Sequence, residues 1–136
     1  MKLSVNKDLT PLREAAISRI DAFAEQTRNR YLSPGAGQSM VYDQKRREAE
    51  TFMAAYNANE PIPESDLPHL IAEAARNGIP LLNQAIVYLT MRQLWLTVSP
   101  MIEDRRLMAK AAVMAAQSPA EIDQAVIIDW SDLPTP

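Results

Sequence analysis

The chain has a single histidine, and its spacing from a glutamate is one that metal sites use. His69 and Glu73 are four residues apart, which places both side chains on the same face of a helix. A tight metal site needs a third or fourth ligand of suitable type. The chain has no second histidine and no cysteine to supply one. The pattern therefore favours a surface histidine in the first turn of a helix over a metal site.

A glycine-rich stretch, Pro34–Ser39, precedes a helix and has the composition of a loop that could hold a phosphate. A phosphate loop needs a lysine followed by serine or threonine, and usually a strand before the glycines. Here the first lysine after the glycines is Lys45, and a helix comes before them. This stretch therefore indicates a turn between two helices.

Two charged runs have the residue types of acid–base or nucleic-acid sites. Glu103–Arg106 contains neighbouring carboxylates, but adjacent helical residues point about 100° apart, and two arginines lie beside them. We expect a solvated, self-paired band or a polar contact between helices. Lys45–Arg47 is flanked by Asp43, Glu48 and Glu50, so it is not a basic patch. The sequence thus predicts no catalytic residue, no cofactor and no metal ion.

Composition sets the class of protein. The 136 residues include no cysteine, which excludes disulfides, and aromatic residues are only 6% of the chain although 47% of it is hydrophobic. Alanine and leucine dominate the apolar content, as in closely packed helices. The net charge of −3 gives no electrostatic reason to expect nucleic acid or an anionic membrane as partner.

The longest uncharged stretch, Asn77–Met91, is shorter than the roughly 20 residues of a membrane-spanning helix. We expect it to be a buried core segment. The first residues carry charge too early for a secretory signal, so we expect none. These features predict a soluble single domain over residues 1–136, with no membrane and no small-molecule substrate as partner.

Local signals divide the chain into helices. The first helix should begin with Thr10 as N-cap and run to about residue 32, and Ser33–Gly37 should end it. The second should cover about residues 38–57, and the third should run from about residue 66 to a C-cap at Gly78. The fourth should begin near residue 80, with a kink or break at Pro100.

The last helix should begin at Ser118, where Ser118-Pro-Ala-Glu121 forms a capping box, and it should end near residue 125. We therefore predict an all-α fold of four or five helices built from antiparallel helical hairpins, with extended segments at residues 1–9 and 126–136. One shared core should contain the following residues of the apolar stripes: Phe23, Phe52, Ile86, Leu89 and Met108.

The two end segments carry apolar residues that an isolated helical bundle does not need. These residues are Leu3, Val5, Ile127, Ile128, Trp130 and Leu133. Two alternatives are open: the segments fold back on their own chain, or they dock on a neighbouring protein.

The stretch Arg28–Glu50 resembles a recurring helical domain in proteins of tailed bacteriophages and prophages. The motif of that domain is Tyr-x-(Ser/Thr)-Pro-Gly-x-Gly-Gln, followed by Met-x-Tyr. The resemblance covers about residues 15–120. It includes a Gly-Ile-Pro turn at residues 78–80, Trp95, and an Ile-Glu…Leu-x-x-Lys-Ala-Ala pattern that ends at Ala112. The residues expected to form the hairpin turn are Tyr31, Pro34, Gly35, Gly37, Gln38 and Tyr42. Tyr31 should close the first helix, the glycines should make the turn, and Gln38 with Tyr42 should bond its backbone.

Such domains occur in, or are encoded near, tail-fibre and tail-tip proteins. The resemblance implies a structural or accessory component of the virion tail, near the fibre or baseplate, made in the bacterial host cytoplasm. Its partners would be other tail proteins or copies of itself. An assembly chaperone that is absent from the finished particle is the first alternative, and a small enzyme or nucleic-acid factor is the second. The resemblance also favours the docking alternative for residues 126–136, with Trp130 as an anchor.

Overall fold

The computed structural model describes residues 8–136, and within them the fold is all-α as predicted. No residue in this range belongs to a strand. A 3₁₀ turn at Glu64–Asp66 precedes the third helix. The α-helices are α1 (Thr10–Arg28), α2 (Ala36–Asn57), α3 (Pro68–Asn77), α4 (Leu81–Ala115) and α5 (Pro119–Ala125). None of these helices combines the length and apolar character needed to cross a membrane.

The start of α1 differs from the prediction by one residue. Leu9, not Thr10, is the N-cap, and its backbone is helical rather than extended. The Asp8 carboxylate accepts a hydrogen bond from the Thr10 N–H at 3.0 Å, and this bond lowers the pKa of Asp8. The Leu9 side chain is buried in the core. Asp8 and Leu9 therefore belong to the helical body, not to an arm.

Three of the helix boundaries predicted after the start of α1 are near Pro34, at Gly78 and at Pro100, and the structure agrees with the first two. The chain leaves α1 at Arg28 and enters α2 at Ala36, so a break around Pro34 is confirmed. Gly78 ends α3 in the left-handed conformation, with φ 64° and ψ 36°, which confirms the C-cap. A break at Pro100 is wrong, because α4 continues through it, whereas the kink stays a prediction. Val98 and Ile102 on either side are fully buried, and this packing offsets the lost backbone bond.

The predicted capping of α5 by Ser118 is confirmed, but the returning bond of the capping box reaches Gln117 and not Ser118. The Ser118 hydroxyl accepts a hydrogen bond from the Glu121 N–H at 3.2 Å, and the Glu121 carboxylate accepts one from the Gln117 N–H at 2.6 Å. Pro119 occupies the first helical turn, where its missing N–H removes no helical bond.

The described residues divide into two compact units. We call the first the terminal unit; it contains the described residues up to Tyr31 together with Val98–Thr135. The second, the middle unit, is Leu32–Thr97. Whether residues 1–136 form one domain stays a prediction, as does the antiparallel pairing of α1 with α2.

Each unit has its own hydrophobic core. In the terminal unit, α1 runs antiparallel to the second part of α4, because Arg13 bonds the Ala116 carbonyl and Arg28 contacts Glu103. The terminal core consists of Leu9, Ala16, Ile20, Ala109, Val113, Ala116, Ile122 and Val126. The middle core joins α2, α3 and the first part of α4 and consists of Ala49, Phe52, Leu67, Leu70, Ala85 and Tyr88.

The prediction of one shared core is therefore wrong. Phe52 is buried in the middle core and Leu89 packs against its edge. Met108 is mostly solvent-exposed, Ile86 is about half exposed, and Phe23 is only half-buried. The physical reason lies in α4, whose apolar residues surround it on all sides. Hydrophobicity alone does not decide which side faces a neighbouring helix, and the small residues Ala85 and Ala109 face the cores instead.

Candidate functional site

The candidate site is a groove in the terminal unit between α4 and the segment that follows α5. Its apolar lining consists of Met108, Ala109, Ala112, Ala125, Ile127 and Ile128. Its polar lining consists of Arg105, Gln124, Asp129 and Asp132. We call it the tail groove. Because Ala109 and Ala112 have short side chains, they leave space above α4 that the segment after α5 borders without filling.

The segment that borders the tail groove alternates between buried and exposed residues. Val126 is in the terminal core, Ile127 is 70% exposed, and Ile128 packs against the core again. The Ile127 N–H donates to the Gln124 carbonyl at 3.2 Å, which ends α5 with a tight turn. Val126 keeps a helical backbone as the C-cap of α5, so the chain turns between the buried Val126 and the partly buried Ile128. Ile127 lies on the solvent side of this turn.

Arg105 fastens the end of this segment to α4. Its guanidinium contacts both carboxylate oxygens of Asp132, at 2.7 and 2.8 Å, and donates to the Asp129 carbonyl at 2.9 Å. It also lies 6.0 Å from the centre of the Trp130 ring. The hydrogen bond from Arg105 lowers the pKa of Asp132, and a hydrogen bond from Ser131 lowers that of Asp129. Both carboxyls therefore carry negative charge at neutral pH.

The predicted docking residues have different places in the structure. Ile127 and Ile128 line the tail groove. Trp130 and Leu133 are half-buried. Leu3 and Val5 lie outside the described residues. Val126 and Ile128 pack against the terminal core, and the hydrogen bonds of Arg105 and Tyr31 hold residues 129, 132 and 134 on the same unit. Contact with a partner stays a prediction, and among the described docking residues Ile127 is the most exposed.

The predicted hairpin-turn residues are only partly correct. The Tyr42 hydroxyl accepts a hydrogen bond from the Ser33 N–H at 3.1 Å, as expected, and lies 3.4 Å from the Ser33 hydroxyl. The hydrogen bond with the Ser33 side chain, and then that with its backbone, lowers the pKa of Tyr42. Gly35 has φ 112°, a conformation that favours glycine. Gly37 is already inside α2 and makes no turn, so that assignment is wrong.

The other turn residues have less specific roles. Tyr31 does not close α1, which ends at Arg28; its hydroxyl donates to the Pro134 carbonyl and so ties down the end of the chain. Pro34 and Gln38 are exposed, Pro34 in the turn and Gln38 in the first turn of α2.

A second candidate is a polar cluster in the middle unit around Glu48, whose side chain is 1% exposed. One carboxylate oxygen accepts from the backbone N–H groups of His69 and Leu70, at 2.7 and 3.0 Å. The other lies 2.7 Å from His69 Nδ1 and accepts from Gln44 at 3.1 Å. The first N–H groups of a helix have no partner inside it, and they attract negative charge. Glu48 of α2 therefore caps the start of α3.

The rest of this cluster joins three helices. Lys45 Nζ is 2.8 Å from the Glu73 carboxylate and 5.2 Å from the centre of the Tyr88 ring. The Tyr88 hydroxyl contacts the same carboxylate and lies 3.3 Å from the His69 carbonyl. Burial, and then the neighbouring Glu73, raise the pKa of Tyr88 far above its usual value. The phenol therefore stays protonated and acts as a donor.

His69 and Glu73 have structural roles, because both side chains are bonded to neighbouring helices. The Nδ1 atom of His69 is occupied by Glu48, and Glu73 is occupied by Lys45 and Tyr88. Within residues 8–136, no group of three or more His, Cys, Asp or Glu side chains is placed to hold a metal ion. Sequence reasoning missed Glu48, although it shares an apolar stripe with Phe52 four residues later, and a charged residue in such a stripe needs a buried partner.

The charged runs behave as predicted. Glu103 and Arg106 are paired at 2.6 Å and also contact α1, where Arg106 lies 3.0 Å and Lys110 2.7 Å from Asp21. The hydrogen bond from Arg106 lowers the pKa of Glu103, and that from Lys110 lowers the pKa of Asp21. This is a polar contact between helices. In α2, Arg46 pairs with Asp43 and Glu50, and Arg47 pairs with Asp43.

No protein-family model, curated protein or solved structure matches this chain. Function is therefore inferred from its own residues and from the resemblance described above.

Proposed function

We propose that this protein is a structural component of a bacteriophage tail, near the fibre or baseplate, and that it acts through protein–protein contacts at the tail groove. The observation that carries the contact is the exposure of Ile127 and Met108, at 70% and 64%, on either side of one concave surface. Contiguous exposed apolar surface rimmed by polar groups is typical of protein-binding sites.

The construction of the tail groove suits a binding surface. Val126 and Ile128 are held by the core, and the Arg105–Asp132 pair fastens the segment beyond them. Ile127 is therefore presented on backbone that is already ordered. Little conformational entropy remains to be lost on binding, which favours affinity.

The resemblance of residues 15–120 to a domain of tailed phages and prophages supports the tail as the place of this contact. The proposal includes no catalytic step, no cofactor and no nucleic acid. The partners are other tail proteins or further copies of the chain. A tail or fibre assembly chaperone, which leaves before the particle is complete, would use the same groove and is the alternative.

Mass spectrometry of purified particles, produced with the wild-type chain and with Ile127→Asp, tests the proposal. Because Ile127 is mostly exposed, this change should alter the free energy of unfolding by no more than about 0.5 kcal/mol. We expect the wild-type chain in stoichiometric amounts and the variant reduced about tenfold or more, as for loss of a central contact worth about 1.4 kcal/mol or more.

Met40→Asp is the matched control, because Met40 is 75% exposed and lies in the middle unit, away from the groove residues in sequence. It should be incorporated like the wild type. A chain that binds tail proteins in lysate but is missing from finished particles would support the chaperone alternative and contradict a structural role. Equal incorporation of Ile127→Asp and wild type would contradict the groove as the contact.

A further inference from the structure

We propose that the tail groove binds residues 2–7 of a second copy of this chain, so that copies join head to tail. The proposal rests on the tail groove being a contact surface, as proposed above, and names its occupant. Residues 2–7 lie outside the described part of the chain.

The net negative charge at the groove favours a basic segment as its occupant. Residues 111–136 contain four acidic residues, Glu121, Asp123, Asp129 and Asp132, and no lysine or arginine. Of these, Asp129 and Asp132 line the groove, as does Arg105. Arg105 neutralises Asp132, whereas Asp129 accepts a hydrogen bond from the Ser131 backbone and pairs with no basic side chain in the described range. One positive group, Arg105, and two negative groups, Asp129 and Asp132, line the groove, which leaves one net negative charge at its edge.

Residues 2–7, Lys-Leu-Ser-Val-Asn-Lys, have the complementary chemistry. They contain two lysines and no acidic residue, and their aliphatic side chains, Leu3 and Val5, alternate with polar ones. In an extended segment, Leu3, Val5 and Lys7 would share one side, with about 6.8 Å between successive members. Two aliphatic side chains would then cover the Met108–Ile127 surface, and a lysine on the same side would reach Asp129.

If the occupant comes from a second copy of the chain, the contact can repeat and build an assembly. The segment and the groove are different surfaces of one chain, so their contact is heterologous and leaves one free segment and one free groove at the ends of each complex. Such contacts repeat and build rings or open filaments. A ring or filament of identical chains would suit the structural role proposed above.

The first test measures self-association of the full chain by analytical ultracentrifugation from about 1 to 100 μM, the range of moderate affinity. The variants are deletion of residues 1–7 and Ile127→Asp, with Met40→Asp as control. The deletion leaves Asp8 and Leu9, which start α1, in place. We expect the wild type and Met40→Asp to associate and the other two to weaken association about tenfold or more.

Complementation makes the test specific. A mixture of the deletion variant and Ile127→Asp contains one intact groove and one intact segment, so it should form a heterodimer at concentrations at which each variant alone is monomeric. A charge exchange gives a second check: Asp129→Lys and Lys7→Asp should each weaken association, and the double variant should regain at least part of it. Added salt should weaken self-association of the wild type, because the proposed ion pair between Lys7 and Asp129 would be exposed to solvent.

Several results would overturn the proposal. A wild-type chain that stays monomeric at every concentration, or a deletion variant that associates like the wild type, excludes this occupant. A monomeric wild type whose thermal midpoint falls on deletion would show that the segment binds its own groove. Loss of Ile127→Asp from particles together with a monomeric wild type would leave the tail-component proposal standing, with a different protein in the groove.

Discussion

The two units of this chain build helical cores from different materials. The middle core contains two aromatic side chains, Phe52 and Tyr88, and a buried carboxylate that caps a neighbouring helix. The described terminal core contains only aliphatic residues, three of its eight being alanine, and its helices are joined at the surface by exposed ion pairs. Small core residues let helices approach closely, but they leave larger apolar residues such as Met108 facing solvent.

In each unit one residue breaks the apolar pattern, and we expect it to stabilise the fold in the middle unit and to bind a partner in the terminal unit. In the middle unit, the residue that breaks the apolar pattern is Glu48, and every oxygen of it has a partner. In the terminal unit, the residue that breaks the pattern is Ile127, an apolar side chain without cover. Substitutions in the middle unit should therefore reduce stability, whereas those at the groove should reduce binding.

The largest loss of stability is expected for Phe52→Ala. Phe52 is 3% exposed and lies at the centre of the middle core, so the change should lower the free energy of unfolding by about 3–5 kcal/mol. Urea denaturation followed by circular dichroism measures it. Phe23→Ala, at a half-buried site, is the comparison and should cost clearly less. Equal losses at the two sites would contradict the assignment of the cores.

Glu48→Ala should come next. It leaves two backbone N–H groups of α3 and the His69 ring without their acceptor, and removing a buried acceptor of this kind costs about 3 kcal/mol. Glu50→Ala removes an exposed carboxylate two residues away in α2 and should change the free energy by no more than about 0.5 kcal/mol. If both variants unfold at the same urea concentration, the capping role of Glu48 is wrong.

Tyr31→Phe should have a smaller effect, confined to the end of the chain. It removes the hydrogen bond to the Pro134 carbonyl, worth about 1 kcal/mol. Amide hydrogen exchange should speed up in residues 127–135 and stay unchanged in α2 and α3. Tyr56→Phe is the control, since the Tyr56 ring is about half exposed and its hydroxyl has no hydrogen bond within the described residues. Unchanged exchange in Tyr31→Phe would show that this bond does not hold the segment.

Acid should loosen the contact between α1 and α4. The pKa values of Asp21 and Glu103 are lowered by Lys110 and Arg106, so their contribution to stability is complete above the unfolded-state pKa values near 4. It is lost as the pH falls through the lower folded-state values. Because both groups are exposed, the effect should be small. The thermal midpoint of Asp21→Asn should fall less between pH 5 and pH 2 than that of the wild type, measured at about 0.1 M salt. Parallel curves would contradict this.

The sequence alone determined the features that depend on neighbouring residues. Ser118 and Glu121 predicted the start of α5, Gly78 the end of α3, and Pro34 with Gly35 the break between α1 and α2. Each of these signals acts through backbone conformation or through a hydrogen bond that spans a few residues. The all-α class followed from the same local patterns.

Only the tertiary structure decided which side of a helix is buried and which polar groups meet. Helical α4 continues through Pro100 because Val98 and Ile102 are buried beside it. Glu48 caps a helix that starts twenty residues further along the chain, and the burial of Val126 and Ile128 turns Ile127 outwards. The physical reason is that burial and trans-capping are properties of a pair of elements. The pattern of one element says only that it has an apolar side to bury, and its partner decides which residues that side includes.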